Sequence, residues 1–146
     1  EPMKAEAILR KALGYNPLSQ QLNFVLGDLL LKQGRAPDSL EFLQNALYYD
    51  YQEQYQHDVN QYAVRARLAQ AYEAVGKFAD ARRLYESIAQ SMSPHAYPTM
   101  KEYANNRLAA IDLAGGRLPE DEGKAELLSL LKMIKQHEEA SEQPTP

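Results

Sequence analysis

Three histidines, His57, His95 and His137, and two runs rich in carboxylates, at 119–122 and 138–142, are the side chains best suited to metal binding or acid–base chemistry. A helical metal site needs ligands on one face, at a spacing such as HExxH, and no two of these histidines meet it. The carboxylates fall in a linker and a tail, where they read as solvated charge rather than a general acid with its base. The chain has no cysteine, so it has no thiolate nucleophile, disulfide or thiolate metal ligand. It also lacks G-x-S-x-G, a P-loop and G-x-G-x-x-G. The expectation is a protein that is not an enzyme and holds no metal or cofactor. A different chemistry, recognition, is suggested by "YYDYQEQYQHDVNQY", Tyr48 to Tyr62, with its five tyrosines and four glutamines. Tyrosine is rich in interface energy. This stretch is therefore a recognition patch or packing at a junction between elements, and the elements around it must decide.

The 146 residues are about one domain's worth, with a soluble globular composition. A net charge of −4 argues against a nucleic-acid partner, because phosphate binding needs a basic face. No apolar run approaches the ~18 residues of a membrane span, so no membrane insertion is expected. A cysteine-free chain suits cytoplasm and periplasm equally. No signal peptide is visible, and a start at Glu1 rather than Met fits a trimmed or mature fragment.

Apolar residues recur at helical spacing along nearly the whole chain, and no strand pattern stands out. Residues 3–13 carry Ala5, Ile8, Leu9 and Ala12. Gly14 and Pro17 break that helix. Helices are predicted over 19–33, 37–49, 58–75, 78–91, 98–114 and 119–138, which makes seven. The fold class is all-α. The closing residues, 139–146, are acidic with two prolines and are expected to be a disordered tail.

"GRAPDS" at Gly34, "GKFADA" at Gly76 and "GRLPED" at Gly116 repeat one feature: a glycine ending a helix, a basic residue, two linking residues, then an acid near the next helix start. Upstream, "RLAQAYEAVG" (67–76) aligns without gaps on "RLAAIDLAGG" (107–116), and "VLGDLLLKQG" (25–34) fits the same frame. With these residues the chain resembles the tetratricopeptide repeat (TPR) family. One unit reads Leu26-Gly27, Leu30, Gly34, Ser39, Leu43, Ala46. The next reads Leu68-Ala69, Tyr72, Gly76, Ala81, Tyr85, Ile88. A third, degenerate unit reads Leu108-Ala109, Asp112, Gly116, and a half unit with Ala5, Leu9, Ala12 and Pro17 precedes them all. The resemblance covers residues 3 to 116. It implies a right-handed superhelix of helix pairs in one domain over 1–138, divided into a half repeat 1–17 and repeats 18–53, 54–94 and 95–138. Gly27, Ala69 and Ala109 would admit the partner helix, with Ala46 and Ala81 doing so from the other side.

The units are 42 and 40 residues long, measured glycine to glycine, against ~34 for the standard repeat. The surplus falls between units. That makes the tyrosine stretch the end of one helix, a lengthened connection and the start of an elongated helix, with "SMSPHAYPTM" as its counterpart. Packing at the junction is thus the expected role of its tyrosines, with Tyr62 and Tyr72 in the core and Tyr51 and Tyr55 as surface contacts.

The resemblance further implies a concave groove lined by the first helix of each pair, holding a partner peptide or helix. By position the lining residues are Gln21, Phe24, Asp28, Leu31 and Lys32 in one unit. Ala63, Ala66, Gln70 and Glu73 follow in the next, then Tyr103, Asn106, Ala110 and Leu113. Phe24 and Leu31 are apolar where a lone helix would want polar groups. They either take an apolar ligand or pack against a helix upstream of the chain. The subfamily that grips acidic chaperone tails uses lysines, arginines and asparagines there, and only Arg107 fits, so that ligand is not expected. The function implied is a non-catalytic interaction module or scaffold. The alternative is the regulatory or assembly arm of a larger polypeptide, with the repeat array continuing upstream.

Overall fold

The computed structural model describes residues 1–50, 59–114 and 130–138. Every regular element among them is helical: α1 (Pro2–Tyr15), α2 (Gln20–Lys32), α3 (Ala36–Asp50), α4 (Gln61–Ala74), α5 (Phe78–Ala89) and α6 (Pro98–Leu113). Residues 130–138 form a further helical run with no buried residue. The expected all-α class is what the chain adopts. Tyr51, Tyr55, His57, the turn at Gly116 and the tail 139–146 lie outside the described residues.

The breaks between helices follow from backbone chemistry. Gly34 and Gly76 have φ of +77° and +79°, the left-handed region that only glycine enters without strain. Each closes its helix with the same pair of bonds. The Arg35 N–H donates to the Leu30 carbonyl at 2.9 Å and the Gly34 N–H to Leu31 at 3.0 Å. Lys77 donates to Tyr72 at 2.8 Å and Gly76 to Glu73 at 3.0 Å. These bonds satisfy carbonyls that a helix end otherwise leaves open. At the start of α2 the Ser19 hydroxyl accepts the Leu22 N–H at 3.1 Å.

The helix predicted from residue 58 begins later, at Gln61. Asn60 is its cap, with φ −61° and ψ 122°, and its side chain accepts the Tyr62 N–H at 2.8 Å. The same side chain donates to the His95 carbonyl at 2.9 Å, tying one long junction to the other. The tyrosine stretch thus starts inside α3 and ends in the first turn of α4, at Tyr62. Tyr62 is buried as expected, and its hydroxyl accepts the Ser91 hydroxyl at 2.7 Å. Tyr48 is exposed.

Consecutive helices pack on one another, and the first helices also touch across units, α2 on α4 and α4 on α6. The core has two clusters. One joins Leu43, Leu68 and Ala71. The other joins Tyr62, Ala69, Ala81, Tyr85, Ile88, Ala96, Ala104 and Ile111. Tyr72 and Leu84 pack against both, so the core is continuous through α3, α4 and α5. Each large side chain buried there contributes about 1.5–3 kcal/mol.

The small residues have the role their spacing suggests, with one exception. A Cβ on Gly27 would stand 2.6 Å from Cγ of Leu43, so α3 lies against the bare backbone of α2. Ala46, Ala69 and Ala81 have no exposed surface. Ala109 departs from the pattern and is exposed, because no described element covers that face of α6. The pairing of α2 with α3 is also polar: Gln20 and Asn23 are buried, and the Gln20 amide donates to the Ala46 carbonyl at 3.2 Å.

Candidate functional site

The first helices α2, α4 and α6 enclose an open cavity of about 310 Å³. Phe24 of α2, Ala63, Ala66, Arg67 and Gln70 of α4, and Thr99, Met100 and Tyr103 of α6 line it. Helical spacing explains the set: Ala63, Ala66, Arg67 and Gln70 follow an i, i+3, i+4, i+7 stripe on α4, while Met100 and Tyr103 are one turn apart on α6. The walls are mostly aliphatic and aromatic. Two alanines keep the centre of α4 low, and Phe24 and Met100 rise on either side.

A polar ladder crosses the same three helices. Lys32 and Arg67 both pair with Asp28, each at 2.8 Å. The Arg67 guanidinium also donates to the Gln70 side-chain carbonyl at 2.9 Å, and the Gln70 amide donates to the Tyr103 hydroxyl at 2.6 Å. Each charged or amide group on this wall is therefore held in place before anything binds.

A second network lies beside it. The buried Tyr85 hydroxyl donates to Glu73 at 2.5 Å, and Arg107 pairs with the same carboxylate at 2.5 Å. The Tyr85 ring meets Tyr103 edge to face, with centroids 6.0 Å apart and planes at 70°. Burial, reinforced by the bond to Glu73, pushes the Tyr85 phenol far up, so it stays protonated as a donor. The same carboxylate raises Arg107 further above its ordinary value, chiefly through their hydrogen bond.

The structure sorts the lining residues expected from the sequence. Phe24, Ala63, Ala66, Gln70 and Tyr103 come together around the cavity. Asp28 is half-buried and Lys32 exposed, and the two form the far end of the ladder. Gln21 and Asn106 are exposed and away from the cavity lining. Glu73 is committed to Tyr85 and Arg107, so Arg107 is likewise not a free cation. Leu31 packs against Leu43, Leu68 and Ala71, and Phe24 reaches the same cluster. Their apolar character is thus explained by the following unit, where an upstream helix had been the alternative.

Arg67, Thr99 and Met100 were not legible as lining residues. Arg67 is a charged neighbour of the apolar stripe. Thr99 and Met100 lie on the first turn of the helix predicted over 98–114, but the face carried over by position began further along it, at Tyr103. On the outer side, Arg82 pairs with Glu86 at 3.0 Å and with Asp112 on α6. Arg83 pairs with Asp80 at 2.9 Å and is two-thirds exposed.

Among the described residues no cluster of three or more histidines and carboxylates could hold a metal ion. No helix there is long and apolar enough to cross a membrane. Residues 2–59 match the family model described as tetratricopeptide repeat. That span covers α1, α2 and α3, and the helix ends at Gly34 and Gly76 carry the same geometry on into α4 and α5. Comparison with curated proteins and with solved structures finds no match.

Proposed function

Taking the chain as a tetratricopeptide repeat protein, on its match over residues 2–59, we propose that it is a protein-binding module that holds an apolar partner segment, a peptide or a helix, in the cavity between α2, α4 and α6. One observation carries this reading. An open, mostly apolar cavity spans three first helices, with its polar groups already engaged along one wall. An apolar centre with a fixed polar border is what peptide recognition needs. A wall whose hydrogen bonds are made in advance loses little freedom on binding. Members of this repeat family are typically non-catalytic, and the proposed action is likewise binding.

The test is site-specific photo-crosslinking in a cell extract. A photoreactive residue in place of Thr99, at the cavity rim, is expected to capture the partner. The same residue in place of Lys77, at the exposed turn before α5, is not. Ala63→Arg, which fills the cavity with a side chain able to reach solvent, is expected to reduce capture at position 99 at least tenfold. Capture at 77 and not at 99, or capture at 99 that survives Ala63→Arg, refutes the cavity as the site.

A further inference from the structure

The polar groups on the cavity wall are already engaged with one another, and that restricts what can lie against them. Given the binding role proposed above, on which this inference rests, we propose that the partner segment is an amphipathic α-helix with an acidic flank, and not an extended peptide. An extended segment leaves the N–H and C=O of each residue to be paired by its surroundings. Of the lining residues, Phe24, Ala63 and Ala66 have no side-chain donor or acceptor, and Met100 has only a weak acceptor. Arg67 donates to Gln70 at 2.9 Å and Gln70 to Tyr103 at 2.6 Å, and Arg67 pairs with Asp28 besides. Thr99 adds one hydroxyl at the rim. To hold an extended backbone the ladder must break bonds of its own as it makes new ones, and any peptide group buried without a partner opposes binding.

A helix pairs its own backbone groups and brings only side chains to the contact. The walls suit one. Ala63 and Ala66 keep the floor on α4 low between Phe24 and Met100, as the bare backbone at Gly27 admits Leu43 of α3. Large apolar residues at i, i+3, i+4 and i+7 of the partner fill that floor, which is the pattern by which a groove takes a helix.

Charge decides the flank. Along the ladder and the network beside it, three cations, Lys32, Arg67 and Arg107, face two carboxylates, Asp28 and Glu73. Arg107 and Glu73 balance each other, so the surplus lies at Asp28, where one carboxylate serves both Lys32 and Arg67. Lys101 and Glu102, next to Met100, cancel. One rim of the cavity therefore carries excess positive charge in a chain whose net charge is −4. The Lys32 side chain is 66% exposed, so its ammonium can take a second carboxylate. A helix with Asp or Glu beside its apolar stripe supplies one.

Selection from a displayed library of random sixteen-residue peptides tests both the helix and its flank. Peptides are enriched on the full chain and kept only where Ala63→Arg, which fills the cavity, abolishes their binding. The expected survivors carry apolar residues at i, i+3, i+4 and i+7 with Asp or Glu adjoining, and no internal proline. The tightest of them is then synthesised and titrated by fluorescence anisotropy. A proline placed in mid-stripe should weaken its binding at least tenfold, because it breaks the helix. Changing its acids to glutamine should weaken binding to the wild type several-fold and leave binding to Lys32→Gln unaltered, since that exposed lysine carries the surplus charge. Survivors with apolar residues at every second position, or rich in proline, overturn the helix and leave the cavity standing as a binding site. Basic flanks, the pattern of the chain's own Lys132 and Lys135 beside Leu131 and Ile134, overturn the acidic partner. An acid-to-glutamine effect that persists in Lys32→Gln does so too. A library that yields no peptide sensitive to Ala63→Arg refutes the cavity as a binding site, and this inference with it.

Discussion

Gly76, Gly27 and Glu73 each hold a position for a different physical reason, and each reason predicts a different penalty. Gly76 sits at φ +79° with open space around its Cα. The cost of Gly76→Val is therefore backbone strain, expected to exceed about 1 kcal/mol. Gly27 has an ordinary helical backbone but no room, since a new Cβ would meet Leu43 at 2.6 Å. Gly27→Ala must push α3 away and is expected to cost about 1–3 kcal/mol. Leu43→Ala should relieve part of that penalty when combined with it, whereas Gly76→Val should gain nothing from the same partner. Chemical denaturation of the single and double variants checks both, and equal coupling for the two glycines would contradict the assignment. Glu73 accepts from the buried Tyr85 hydroxyl and from Arg107. Glu73→Ala strands a buried donor and is expected to cost about 1–3 kcal/mol. Glu73→Gln keeps an acceptor for Tyr85 and should fall between that variant and the wild type in thermal melts.

Among the elements, α1 joins the stack through half-buried Ala5, Leu9 and Ala12 and through charge. It has no buried residue, but Glu6 accepts from Arg35 at 2.6 Å and from Arg10 at 2.9 Å, and Arg10 lies over the Phe42 ring. The bond from Arg35, then that from Arg10, lowers the Glu6 carboxyl below its ordinary 4.5. A carboxyl lowered in the folded state adds stability that is complete above its unfolded value and is lost as pH falls through the folded one. The thermal midpoint of the wild type should therefore exceed that of Glu6→Gln at neutral pH, and the two should converge in acid. A gap that persists unchanged down to about pH 2 would show that Glu6 is not the group responsible. Such pairings mark what the sequence did not disclose. Helix number, the turns at Gly34 and Gly76 and the buried Ala81 were legible because backbone and packing rules act over a few residues. Glu73 with Arg107 and Gln70 with Tyr103 meet across more than thirty residues, and no local spacing announces them. Carrying a helix face over by position thus found Phe24, Gln70 and Tyr103 at the cavity. It also placed Glu73 and Leu31 there, one consumed by an ion pair and the other by the core. Leu31→Ala is accordingly expected to lower the melting midpoint as a core truncation would.

At the scale of the whole molecule, stability in a stack of helix pairs comes from each unit and its contact with the next. Burial here is shared by α2, α3, α4 and α5 and falls off at the outer helices. α4 touches α2, α3, α5 and α6, and with α5 it carries Leu68, Ala69, Ala81, Tyr85 and Ile88. α1 touches α2 alone among the pairings that amount to an interface, and helix 130–138 leaves Leu130, Leu131, Met133 and Ile134 about half exposed or more. A helix opens locally at the free energy of the contacts it must give up, so protection from hydrogen exchange ranks the elements by burial. Amides of α2, α3, α4 and α5 are expected to exchange last, by an opening as costly as global unfolding. α6, which buries only Ala104 and Ile111, should exchange faster than α4. α1 and 130–138 should exchange first. Gly76→Val strikes the turn between the two central helices, so it should speed exchange in α4 and α5 together and leave the order of the outer helices unchanged. α1 protected as strongly as α4 would contradict this ranking.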